Sequence, residues 1–328
     1  MNKKVNHNVC GAAQRNRPVP ETFANQTYLD PRLDPAFKEF FDSEDALKDF
    51  LNGVLELDGE DKIRSLSFSF DKELRFRVPQ RKKIILDVFA TTGTGRFLNI
   101  EMQNLEHEFF ADRIVLYKAF LIIKGKKEME LSAEYKALSK KDKKKRLYEL
   151  PETISIWICN FKLPGAENEY VDEWAIYSKS AIKRGGAVPI FPKNRYIFFS
   201  LPNFKKSAEE VSGPVDAWLY LLNHAAESDK LPNFGSDIIE EAIDRIRVDN
   251  ADEELLSDQE NAMSMKEDYE IILASTEIRA RQEGESVGEA RGERKKACEM
   301  AKALKAMGDS TEKIVAVSGL TPAEVESL

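Results

Sequence analysis

The sequence predicts an α/β fold, a mixed central sheet flanked by helices, continued by a helical C-terminal tail. Three observations carry this. Short apolar runs are interleaved with amphipathic helical stretches through the first two-thirds of the 328 residues, the pattern of helices packed on a sheet. Two of those runs are joined by a tight Thr-Gly-rich turn, as in a hairpin. From Val215 onward the pattern is helical to the end.

Residues 1–26 are polar, contain Pro18 and Pro20, and are expected to form a disordered arm. Asp34-Pro35 reads as a helix start, with Asp34 as N-cap and Pro35 at the first helical position. Phe37, Phe40 and Phe41 give that helix an apolar face. Ala46, Leu47, Phe50, Leu51, Val54 and Leu55 follow at helical spacing. Residues 63–70 alternate in part and predict a strand. Strands at 82–90 and 96–103 flank the turn Thr91–Gly95. A helix is expected over 105–124, then an exposed lysine-rich loop with helical pieces over 124–146. Three further strands are expected at 154–161, 173–177 and 195–200. Pro232 and Gly235 interrupt the helical remainder and divide a body, 27–235, from a tail, 236–328.

Charge is unevenly spread. Residues 227–293 carry 20 acidic and 7 basic side chains, a net of −13, so against −8 for the chain the remainder is about +5. A mildly basic body is therefore paired with an acidic helical segment. Cys10, Cys159 and Cys298 are too far apart for a metal motif and suggest no disulfide framework, which fits a reducing cytoplasm. The start lacks an apolar signal region and no long apolar run exists, so no membrane partner is expected. Gly284, Gly288 and Gly292 recur every four residues, but among charged neighbours, as in a weakly stable helix. Residues 312–325 read as helix, Gly turn and helix, resembling the start of a helix-turn-helix. With no basic recognition helix after it, a packing or oligomer cap is the expectation.

The chemistry is concentrated in Ile84–Ala90 and Arg96–Gln103. Each apolar run holds one carboxylate, Asp87 or Glu101, and burying an unpaired carboxylate is costly. One register of the hairpin sets the two side by side, where they repel unless a proton or cation intervenes. Mg²⁺ or another divalent cation is the simplest resolution, since such ions take one or two carboxylates plus water and phosphate. The Met102 backbone carbonyl offers a further oxygen. Gln103 shares the Glu101 face and can hold water or a phosphate oxygen, but it is no strong base. Glu101 facing solvent on a half-exposed strand is the competing explanation.

In order along the chain, Asp34–Phe41, Phe50–Leu55, Leu86–Ala90, Ile100–Gln103, the helix with Arg113 and Tyr117, Tyr135, the strand 154–161 and the ending Ser318–Glu324 resemble one family. It is the PD-(D/E)XK nuclease family transposases, related to recombination-promoting nucleases. The resemblance covers about residues 28–328 and implies a restriction-endonuclease-like core over 27–235. It implies a metal-dependent DNA endonuclease leaving a 5′-phosphate and a 3′-hydroxyl. Asp87 and Glu101 match the metal-binding acids, and Gln103 stands where the wider superfamily usually has lysine. Asp34 matches an acidic position of the first helix; an N-cap role competes. Arg113 and Tyr117, four apart on one helix face, would contact a phosphate or brace Glu101, or simply pack.

DNA is the implied partner, and the family suggests self-association, for which the tail is the natural place. The basic clusters Arg75–Lys83, Lys140–Arg146 and Lys193–Lys206 would follow a DNA backbone or form solvated faces. His107 and His224 read as an exposed helix residue and a structural one. The alternative function is a catalytically inactive DNA-binding or oligomeric assembly protein on the same fold.

Overall fold

A computed structural model describes residues 19–74, 84–163, 165, 168–186 and 188–328. The chain divides into two compact units, Met1–Ala262 and Met263–Leu328. The first is built on a six-stranded sheet: β1 (Leu66–Leu74), β2 (Ile84–Thr92), β3 (Phe97–Gln103), β4 (Thr153–Cys159), β5 (Val171–Trp174) and β6 (Asn194–Ser200). The spatial order is β1-β2-β3-β4-β6-β5. The first three strands form an antiparallel meander, β3, β4 and β6 run parallel, and β5 closes the edge antiparallel. All seven residues of β3 and all seven of β4 are buried. Strands covered on both faces read as continuous apolar runs, which is why these two were legible.

Alternation along the strands assigns the layers. Phe198 shares an apolar cluster with Phe110 and Ile114 of helix α3 (Phe110–Leu131) on one face. On the other, its neighbour Phe199 lies 6.3 Å from Phe50 of α2 (Glu44–Val54). Phe40 and Phe41, at the end of α1 (Asp34–Phe40), meet Trp218 of α7 (Pro214–His224) at 5.1 and 5.2 Å between ring centres. The Trp218 indole N–H donates to Asp49 Oδ2 at 2.8 Å, so the buried ring keeps a polar partner.

Several boundaries differ from expectation. Helix α3 starts at Phe110 rather than Leu105 and runs seven residues past Lys124. Its buried line Ile114, Lys118, Leu121, Gly125 continues through a glycine and a lysine, which carry no apolar signal. A Cβ on Gly125 would lie 2.8 Å from Phe97 Cδ2, so only glycine admits the strand this closely. The helical pieces beyond it are α4 (Ala133–Ala137) and α5 (Lys140–Lys145), capped by Ser132 and Ser139. A short helix, α6 (Lys179–Lys183), was not legible. Strand β1 extends four residues past 70 through Asp71, Lys72 and Glu73, polar residues that the edge of a sheet tolerates.

The arm also differs. Its end folds, with a turn of 3-10 helix at Glu21–Phe23 and Phe23 buried; its first 18 residues lie outside the described residues. The turn at Pro232–Gly235 lies inside the first unit, which continues to Ala262. Helix α8 (Asp237–Arg245) buries Ile239, Ala242 and Ile243, and the Leu29 N–H donates to Ile246 O at 2.8 Å.

Helix α9 (Glu253–Ala306) carries the chain into the second unit, which ends in α10 (Thr311–Ser318) and α11 (Pro322–Ser327). Ala301, Ile314, Leu320 and Val325 form its small core. Gly319 turns the chain with φ 71° between the last two helices, and Thr321 with Glu324 makes a capping box. A side chain at Gly284, Gly288 or Gly292 would meet nothing within 4 Å. No helix among the described residues is long and apolar enough to cross a membrane.

Candidate metal-binding carboxylate site

β2 and β3 pair from Thr91↔Phe97 to Val88↔Ile100 and then part. Beyond that point β2 pairs with β1 and β3 with β4. The same register, continued one step, sets Asp87 opposite Glu101 at the mouth of the notch. The Met102 N–H donates to Asp87 Oδ2 at 2.8 Å, in place of a ladder bond.

Glu101 is fully buried. Its Oε1 accepts from Asn99 Nδ2 at 3.3 Å, while Oε2 has no hydrogen-bond partner. Arg113 Nη2 stands 4.0 Å from Oε2 and closes no hydrogen bond with it. Burial, then the charge of Asp87, push the Glu101 carboxyl well above the usual carboxylate range, against Arg113 and Asn99. Asp87 is half-buried. Burial, with the charge of Asp34 added, raises it to about 7, against the Met102 N–H, Arg113 and Lys38.

Gln103 lies on the Glu101 face, and its Nε2 donates to the Met102 carbonyl at 2.9 Å. That carbonyl keeps a second lone pair. Arg113 and Tyr117 do share a face of α3, with the guanidinium carbon 4.9 Å from the Tyr117 ring centre. Tyr117 in turn lies 5.6 Å from Trp157, which pairs with Glu101 across β3 and β4. These rings wall the notch, and burial raises the Tyr117 hydroxyl.

Asp34 is not the N-cap of α1. Leu33 holds that position without a side-chain cap, and Asp34 is the first helical residue. Its carboxylate pairs with Lys38 at 2.5 Å, and Lys38 also reaches Asp71 at 2.7 Å. Asp71 stands opposite Asp87 in the β1–β2 register, between the pairs Phe70↔Val88 and Lys72↔Leu86. Its φ of 49° is unusual for a non-glycine residue. Lys38 and Asp71 were missed from the sequence, as was Asn99. Only the helix spacing of Lys38 from Asp34 hinted at the first.

The other candidates lie elsewhere. His107 Nδ1 accepts from the Phe109 N–H at 3.2 Å ahead of α3, and His224 packs on Tyr220 at 4.4 Å. The cluster Lys193–Lys206 is divided, since β6 separates Lys193 from Lys206, and Lys206 pairs with Asp216 at 2.6 Å. Arg75–Lys83 lies outside the described residues.

A fully buried carboxylate oxygen that closes no hydrogen bond, beside a second carboxylate and with one guanidinium at 4.0 Å, leaves two acids sharing a single nearby cation. The donors are hard oxygens, suited to an ion that takes one or two carboxylates and completes its shell with water and phosphate. Among the described residues, no group of three or more His, Cys, Asp or Glu is placed to hold an ion alone. Asp87 and Glu101 are thus two oxygen-bearing candidates of the type a divalent cation accepts.

Residues 31–276 match the model of a family described as PD-(D/E)XK nuclease family transposase. No curated protein and no solved structure matches the chain.

Proposed function

The chain belongs to the PD-(D/E)XK nuclease family transposases, and on that premise we propose that it is a Mg²⁺-dependent DNA endonuclease, transposase-associated or recombination-promoting. The observation that carries this reading is Glu101 Oε2, buried without a hydrogen-bond partner beside Asp87. Asp87 and Glu101 would hold Mg²⁺ or another divalent cation, with the Met102 carbonyl as a further oxygen. When bound, such an ion polarises the scissile phosphate and lowers the pKa of a water.

The chain's own groups do the rest. Both acids must shed protons that burial favours, and Arg113 offsets part of that cost for each. Gln103, tethered through Nε2 to Met102 O, presents its amide oxygen to accept a hydrogen bond from water and so orient it. Arg113, braced by Tyr117, steadies Glu101 and is close enough to meet a phosphate oxygen. Hydrolysis yields a 5′-phosphate and a 3′-hydroxyl.

The test is cleavage of plasmid DNA by purified protein with Mg²⁺. Nicking that disappears in Asp87→Ala and in Glu101→Ala supports the reading; both variants cutting at the wild-type rate overturns it. The alternative is a catalytically inactive DNA-binding or assembly protein on the same fold, against which the intact Asp87, Glu101 and Gln103 argue. DNA retardation without cleavage under any divalent ion would select that one.

A further inference from the structure

Two exposed basic segments meet at the end of the sheet away from Gln103. Residues 132–149, between α3 and β4, hold seven basic and three acidic side chains. Residues 175–193, between β5 and β6, hold four basic side chains and no acid. Together they carry a net +8 in a chain of −8. Their roots touch: the Thr153 N–H donates to Lys193 O at 2.8 Å, and Lys193 Nζ donates to Leu150 O at 3.3 Å. Phe97 pairs with Thr153, so Glu101 lies four residues up its strand from this end, about 13 Å at the usual rise.

Lys140, Lys141, Lys144, Lys179, Lys183 and Arg184 are exposed, and none has an acidic partner among the described residues. Other cations of this unit do have carboxylate partners, as Lys38, Lys48, Arg195 and Lys206 have. Like charges so concentrated repel one another and raise the local potential, and a phosphate backbone relieves both. Helix α5, Lys-Lys-Asp-Lys-Lys-Lys, has no apolar face to enter a membrane, but residues 175–193 also expose Ile182, Val188, Ile190 and Phe191, so the test includes lipid vesicles.

We propose that these two segments form a second surface for the DNA backbone, holding duplex that flanks the cut phosphate. It deepens the nuclease reading but is tested apart from it. In divalent-free buffer, wild type and a variant with all six cations changed to Gln are titrated with a duplex of about 30 base pairs over a range of salt. The variant is expected to bind at least tenfold more weakly near 0.1 M salt. Its plot of log affinity against log salt should become shallower by about 0.9 for each phosphate that is no longer neutralised. The triples Lys140/Lys141/Lys144→Gln and Lys179/Lys183/Arg184→Gln should each give part of the effect, and either suffices if the other unfolds.

Wild-type affinity and slope in the folded variants would overturn the proposal. So would loss of binding to phosphatidylserine vesicles with DNA binding intact, which would assign the surface to a membrane. Binding that needs the six cations, in a protein that fails to cut DNA whichever divalent ion is supplied, supports the surface and removes the nuclease reading. Cleavage by a wild type whose variant binds DNA equally well removes the surface alone.

Discussion

The backbone N–H of Met102 donates to Asp87 Oδ2 at 2.8 Å where β2 and β3 stop pairing. Asp87 is therefore both a candidate ligand and the group that finishes the hairpin. The two roles separate by substitution. Asp87→Asn keeps an oxygen for the Met102 N–H, whereas Asp87→Ala leaves that donor without its acceptor. Thermal melts should show Ala less stable than Asn by about 1–2 kcal/mol, the usual cost of an orphaned buried donor. Both should lose divalent-ion binding by calorimetry.

Carboxylates raised by burial bind protons more tightly folded than unfolded. For Asp87, raised from 3.8 to about 7, the metal-free fold is favoured below about pH 4. That advantage is lost as pH climbs through 7. Glu101 shifts in the same direction. Metal-free Glu101→Gln is thus expected to melt higher than wild type at pH 8, by about 3 °C or more, and to match it near pH 4. Saturating Mg²⁺ should reverse the order at pH 8.

Lys38 opposes the rise of Asp87. Removing its charge with Lys38→Met should move the rising limb of the cleavage–pH profile to higher pH. The maximal rate on the plateau should change less than the limb does. An unmoved limb would show that Lys38 serves only its pairs with Asp34 and Asp71.

Arg113 lies 4.0 Å from Glu101 Oε2 and is the cation opposing the rise of that carboxyl. Arg113→Met should weaken Mg²⁺ binding at neutral pH, because Glu101 then holds its proton more firmly. The deficit should shrink as pH is raised. A pH-independent loss would instead indicate contact with the DNA phosphate.

Truncation separates body from tail. A chain ending at Ala262 keeps α8 and should melt cooperatively. One ending at Gly235 loses the buried Ile239, Ala242, Ile243 and Ile246 and the bond from Leu29 to Ile246. At about 1.5–3 kcal/mol for each large apolar side chain, that loss should unfold it or lower its melting point sharply.

The strands Phe97–Gln103 and Thr153–Cys159 are legible because burial on both faces makes a strand largely apolar, and Glu101 stands out against that background as Asp87 does in the apolar run before the turn. Asp87, Glu101, Gln103, Arg113 and Tyr117 could be named from pattern and family resemblance. Periodicity records only which side chains are apolar, so α3 was lost at Lys124 and Gly125, which are helical without saying so. The N-cap falls on Leu33 and not Asp34 because a cap is set by the residue's own backbone angles, which residue type alone does not fix.

The order of the elements and the two carboxylates can be read along the chain, since both follow from local residue chemistry. Only the packed fold brings β2 and β3 apart beside those acids, sets Lys38 and Asp71 near Asp87, and leaves Glu101 Oε2 without a hydrogen-bond partner. Each depends on groups distant in the chain, whose meeting is set by packing of the whole fold.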